Sequence, residues 1–239
     1  MPRIKRIQTP GLIRHTMSRG NGGMRIYLDD QDYREWIHQL GTVCEEYEVD
    51  CWTYCAMPNH YHAVLVPTKE NYSRAMQHLN GEYGKWWNGR HRRVGHTFQG
   101  RFKGQIVDTG QYLRTLLRYV ARNPVRANLV DDPSKWKWSS YAAIVGLEPA
   151  PAFLKIEPVL AAFGPGSEAE LRARFAAFVL GTGEDPLEER IRSNERILGE
   201  HAFKKAVRMA AQSENGADGS KNSADPESIL GETADTATL

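Results

Sequence analysis

Hydrophobic and polar positions change their period several times along the first half of the chain. Residues 11–20, GLIRHTMSRG, alternate and run into NGG, which predicts a strand followed by a loop. From Asp29 the spacing changes. Tyr33, Trp36, Ile37, Leu40, Val43 and Cys44 recur at helical intervals behind aspartates suited to capping, so a first helix is expected. Two short β-type runs follow, DCWTYCAM and HYHAVLV, and the Pro58-Asn59 pair between them predicts a hairpin. NYSRAMQHLNGEYGKWWNGR reads as a second helix, capped by Asn71 or Ser73 and carrying Met76, Leu79, Tyr83 and Trp87. GRFKGQIVD returns to alternation, with Arg101 and Lys103 on one face and Phe102 on the other. TGQYLRTLLRYVARNP reads as a third helix, and Pro124 disfavours helical geometry at Asn123, so the helix is expected to stop there.

The order β-α-β-β-α-β is that of the split βαβ, ferredoxin-like pattern. The expected fold is therefore α+β: a mainly antiparallel sheet with helices on one face, leaving the other face open to a ligand. SKWKWSSYAAIVG closes this domain, which is taken as residues 1–150. Residues 151–211 read as a helical C-terminal extension. Residues 212–239 hold six acids, one Lys and no aromatic, and are expected to form a disordered acidic tail.

Composition narrows the class. The chain has 239 residues, enough for one ordinary domain with extensions. No apolar run approaches the roughly 20 residues that cross a bilayer, so no membrane partner is expected. The basic opening, MPRIKRIQTP, leads into no apolar core, and three cysteines suit a reducing compartment. A cytoplasmic location is expected. Charge then separates the two halves. Residues 1–150 carry 21 Lys and Arg against 14 Asp and Glu, whereas residues 151–239 carry 10 against 15. The densest basic stretch, Lys85 to Arg126, has ten Lys and Arg and one acid, Asp108. Trp86, Trp87, Phe98, Phe102, Tyr112 and Tyr119 interleave with those cations, a combination suited to phosphates and stacked bases.

Candidate chemistry begins with His60 and His62. Two residues apart on a strand, they share a face, and two ring nitrogens can converge on one ion. Alone, such a pair also fits two hydrogen-bonded surface histidines. A metal site needs a further ligand, and the third helix offers Asn123, whose carbonyl oxygen suits a hard divalent ion. Tyr119 lies one turn before it, and its phenol can act as a nucleophile; it also fits a core or base-stacking aromatic. Arg118 and Arg122 flank Tyr119 in sequence. A rival reading groups Cys51, Cys55, His60 and His62 around zinc, but Cys51 and Cys55 lack the compact spacing of zinc knuckles.

MPNHYHAVLV, GRFKGQIVD, YLRTLLRYVARNPVRANLV and WSSYAAIVG, in this order, resemble the single-tyrosine transposases of the IS200 type, and among them the REP-associated tyrosine transposases. The resemblance covers about residues 10–146. It implies an HUH-type centre in which His60 and His62 bind metal, Asn123 is the third ligand and Tyr119 the nucleophile. It also implies Mg2+ or Mn2+ as cofactor, and single-stranded DNA with a hairpin or palindrome as substrate, cleaved through a 5′-phosphotyrosine. Lys85, Arg90, Arg92, Arg93, Arg101 and Lys103, with Arg118 and Arg122, are the candidates for tracking the DNA backbone. Nucleoid association and pairing into a homodimer are further expectations. The alternative is a domesticated protein that binds palindromes or hairpins without cleaving them.

Overall fold

Each alternating run of the sequence becomes a strand in the computed structural model, which describes residues 6–183, 185–193 and 195–216. The strands are β1 (Arg14–Arg19), β2 (Val49–Met57), β3 (His60–Pro67) and β4 (Lys103–Val107), and they line up as β2-β3-β1-β4. All three neighbouring pairs are antiparallel, the ladder expected of the split βαβ pattern. Helix α1 (Asp30–Glu46) joins β1 to β2, and α2 (Tyr72–Arg90) joins β3 to β4. The α1 N-terminus is capped by Asp29, whose carboxylate accepts from the backbone N–H groups of Gln31 and Asp32. Asn71 occupies the corresponding place on α2 without capping it. Its amide donates instead to the Tyr47 carbonyl, 2.8 Å away.

Both crossover helices cover the same face of the sheet. Trp36 of α1 packs at 4.7 Å against Tyr61 of β3 with the rings tilted by 37°, and the Tyr61 hydroxyl donates to Asn80 of α2 at 2.9 Å. Trp36 is fully buried, so its truncation to alanine would cost roughly 3–5 kcal/mol. The expectation of helices on one face holds for this pair only. Helix α3 (Gly110–Arg126) lies across the other face, against β2 and β3, because Leu113, Leu116, Leu117 and Val120 give it an apolar side to bury. Pro124 does not end it. The ring removes only the N–H that would meet the Val120 carbonyl, and the helix closes instead through the Ala127 N–H on the Asn123 and Val125 carbonyls.

One strand was absent from the pattern. Ile197–Leu198 form β5, which adds to β4 in parallel register, and two residues give no period to read. The remaining helices are α4 (Tyr141–Ile144), α5 (Glu157–Ala161), α6 (Glu168–Leu180), α7 (Pro186–Arg192) and α8 (His201–Gly216). Phe203 and Val207 of α8 pack on Leu12 and Ile106, which binds the C-terminal segment to the sheet edge. Gly199 makes the approach possible, since a Cβ there would meet the Phe203 ring and the Asp108 side chain. Apart from its first residues, within α8, the expected acidic tail lies outside the described residues.

Candidate active site

Register assigns the side chains of the α3 face to three rungs. Residues directly opposite in an antiparallel pair share a face, and alternate residues of one strand repeat it. One rung therefore carries Val64, His15 and Gln105, the next Cys55, His62, Met17 and Lys103, and the third Met57, His60 and Arg19. The two predicted histidines stand side by side, with ring centroids 5.0 Å apart. Cys51 is elsewhere. A bulge between Cys51 and Thr53 reverses the alternation, so Cys51 pairs with Leu65 and faces α1 while Cys55 faces α3. This separation removes the Cys51–Cys55 zinc reading.

Helix α3 lays Tyr119 against His62 and His15. Its ring meets His62 edge-on at 5.5 Å and His15 at 5.9 Å. Asn123, one turn further, donates from Nδ2 to the Tyr119 carbonyl at 2.8 Å, which fixes the amide and leaves Oδ1 without a hydrogen bond among the described residues. Tyr112, two turns before Tyr119, is held between Arg190 at 2.6 Å and Glu200 at 3.1 Å.

The third imidazole, His15, was not among the sequence candidates. It is fully buried, and its Nε2 lies 2.9 Å from His62 Nδ1 while its Nδ1 lies 2.8 Å from Gln105 Oε1. His60 Nδ1 is 2.7 Å from Asn59 Oδ1. The only sequence signal for His15 was its place on a strand that would have to run beside β3. Burial pulls His15 down to about 4; it does the same to His60, with the Arg19 charge adding to the effect. Burial and the two neighbouring imidazoles push His62 well below the usual histidine range. All three rings are therefore neutral near pH 7. The Nε2 atoms of His60 and His62 have no hydrogen-bond partner among the described residues. Two neutral imidazole nitrogens and one free amide oxygen fit a divalent cation that completes its shell with water or phosphate oxygens. Among the described residues no group of three or more His, Cys, Asp and Glu is arranged to hold a metal.

Burial raises the Tyr119 phenol above its ordinary value, and the charges of Arg126 and Arg192 oppose that rise. Arg126, seven residues on and so on the same helix face, sits 5.0 Å over the ring and pairs with Glu188. Arg118 and Arg122, expected to serve DNA, are otherwise engaged. Arg118 donates to the Gly181 and Gly183 carbonyls at 2.6 and 2.7 Å, and Arg122 to those of Val179 and Gly181 at 3.1 and 2.6 Å. One position before Tyr119, Arg118 points about 100° away from it. Arg90 is paired with Asp29 and Asp32, and Lys85 with Glu82. Arg92, Arg93, Arg101 and Lys103 are exposed. Of the interleaved aromatics, Trp87, Phe98, Phe102 and Tyr112 are core side chains, which leaves Trp86 and Tyr119 partly open. A cleft of about 430 Å3 beside the rungs is lined by Arg6, Arg101, Lys103, Arg192 and Arg196, three of them outside the stretch that drew attention in the sequence.

A sheet of split βαβ order thus bears a histidine pair beneath a helix that carries a tyrosine. The chain resembles the IS200-like transposases: residues 24–123 match the family model described as transposase, IS200 like. That segment ends on Asn123 and includes His60, His62 and Tyr119. In fold the chain is similar to a REP-associated tyrosine transposase solved bound to a REP hairpin, with a TM-score of 0.52 and 17% identity over 65% of this chain and 92% of that one. No curated protein matches the sequence. Among the described residues no helix is long and apolar enough to cross a membrane.

Proposed function

We propose that the chain is a metal-dependent transposase that binds single-stranded or hairpin DNA and cleaves and rejoins it through a 5′-phosphotyrosine. The observation that carries this reading is Tyr119 standing edge-on to His62, with His60 beside His62 and both neutral imidazoles having Nε2 free among the described residues. The match to IS200-like transposases supports the reaction class, and the fold shared with a REP-hairpin-bound relative supports the substrate class.

His60 Nε2, His62 Nε2 and Asn123 Oδ1 would hold Mg2+ or Mn2+, which when bound polarises a phosphate oxygen and favours attack at phosphorus. Tyr119 Oη bonds to the phosphorus as the P–O3′ bond breaks. The phenol proton ends on the departing oxygen, giving a free 3′-hydroxyl and a tyrosine linked to the 5′-phosphate. Bond types are conserved, so a 3′-hydroxyl can later displace the tyrosine and restore the strand without ATP. Arg126 and Arg192 favour the phenolate as it forms, while Arg19, Arg101 and Lys103 offer charge to the backbone on either side. Both halves of the centre would come from one chain. Pairing of two copies would then serve to hold two DNA ends, and the nucleoid would be the place of work.

The test is a covalent adduct. The full chain with labelled hairpin DNA and Mn2+ should give a protein–DNA species that survives denaturation. Tight binding across a panel of hairpins with no adduct would overturn the reading in favour of a hairpin-binding protein that does not cleave.

A further inference from the structure

We propose that two hydrogen-bond relays fix the tautomers of His60 and His62, and that the longer relay makes the C-terminal extension a working part of the histidine centre. This rests on reading the two histidines as a metal pair, although its first readout does not.

Each relay begins at a backbone carbonyl, which can only accept. In the shorter one the Gly23 carbonyl takes a hydrogen bond from Asn59 Nδ2 at 3.1 Å. The Asn59 amide is thereby oriented, and its Oδ1 must accept from His60 Nδ1–H at 2.7 Å. The longer relay starts in the extension, where the carbonyls of Ser193 and Glu195 accept from Gln105 Nε2 at 3.1 and 2.9 Å. Gln105 Oε1 must then accept from His15 Nδ1–H at 2.8 Å. His15 is fully buried and has no carboxylate partner among the described residues, so it is neutral and its Nε2 carries a lone pair. That lone pair accepts from His62 Nδ1–H at 2.9 Å.

Every donor and acceptor in both relays has one assignment. Both metal-pair histidines hold their proton on Nδ1 and present a bare Nε2, the opposite of the Nε2–H form that imidazole favours in water. Gln105 and His15 touch neither substrate nor metal; they are positioning residues. The relay also gives the segment around β5 a role beyond covering a sheet edge. Ser193 and Glu195 lie between the end of α7 and the start of β5, and among the described residues their carbonyls alone hold Gln105 in the orientation that His15 needs.

Long-range 15N NMR on the metal-free full-length protein reads the tautomers directly. The relays require a protonated Nδ1 and an unprotonated Nε2 at His60, His62 and His15; a protonated Nε2 at His62 overturns the proposal. In Gln105→Leu, His15 loses its acceptor, moves its proton to Nε2 and donates toward His62 Nδ1. His62 must then carry its proton on Nε2, and Mn2+ affinity measured by calorimetry or EPR should fall about 10–100-fold. Wild-type tautomer and affinity in that variant would reduce Gln105 to a packing residue. His15→Phe offers an independent variant, in which the same return of His62 to Nε2–H is expected. Tautomers as stated in a protein that forms no DNA adduct would sink the transposase reading and leave the relays standing.

Discussion

The Tyr119 ring stands edge-on to His62, with centroids 5.5 Å apart and planes at 86°, although 57 positions separate them in the chain. The contact exists because α3 buries its leucine face on the sheet and so carries its phenol over β3. Removing the hydroxyl while keeping the ring preserves that packing. Tyr119→Phe should abolish the covalent DNA adduct and leave hairpin affinity unchanged. An adduct that persisted in the variant would transfer the nucleophile's role elsewhere, and Tyr112 is a poor successor with its hydroxyl tied to Arg190 and Glu200.

Metal binding should be insensitive to pH over an unusual range. A histidine site of ordinary pKa releases protons on binding near pH 6, but burial holds His60 at about 4, and burial with the neighbouring imidazoles pushes His62 well below the usual histidine range. Calorimetry with Mn2+ at pH 6 and pH 7.5 should therefore give nearly equal affinities, with little heat from buffer protonation. A loss of affinity between those two pH values would show that the imidazoles are charged there.

The same burial makes the fold acid-sensitive. His15 titrates at about 4 in the folded chain and near 6.5 unfolded, so between those values the unfolded state binds more protons. Its contribution is fully present above about pH 6.5 and is lost as pH falls toward 4. The amount is on the order of 3 kcal/mol for His15 alone. Urea midpoints measured from pH 7 to 4.5 should fall steadily, and a flat profile would contradict the neutral, buried imidazole.

Much of this was legible in the sequence, and the reasons separate cleanly. The β-α-β-β-α-β order, the shared face of His60 and His62, and the spacing of Tyr119 and Asn123 are local periodicities, readable without knowing what packs on what. His15 and Gln105 were not readable, because their meaning comes from register between strands that are distant in sequence. The cations around Tyr119 were misassigned for a related reason. Arg118 and Arg122 are near it in number, whereas Arg126 shares its helix face and Arg192 arrives from α7. The interleaved aromatics looked like a base-stacking surface, yet Trp87, Phe98 and Phe102 are needed in a core whose extent the sequence did not display.

Arg126 should set the pH dependence of attack. Its charge above the ring opposes the upward push of burial on the phenol. Arg126→Gln removes that charge, so the rising limb of the cleavage rate should move to higher pH and the rate at neutral pH should drop. Arg122→Gln, whose guanidinium faces the Val179 and Gly181 carbonyls, should leave the limb in place. Equal shifts in both variants would point to a long-range charge effect with no special role for the stacked arginine.

Two arginines with the same formal charge should fail in different ways. Arg101 is exposed on the rim of the basic cleft, whereas Arg118 is buried with its guanidinium on two backbone carbonyls. If Arg101 contacts one phosphate, Arg101→Ala should weaken hairpin binding and reduce the slope of log K against log salt by roughly 1, with stability unchanged. Arg118→Met removes the charged hydrogen bonds to Gly181 and Gly183, the former keeping Arg122, and should cost about 1.5–3 kcal/mol of stability while leaving the salt slope alone. Fluorescence anisotropy across a salt series, paired with urea unfolding of each variant, separates the two outcomes. A reduced slope for Arg118→Met would return that residue to the DNA surface, and an unchanged slope for Arg101→Ala would remove the cleft rim from the path of the strand.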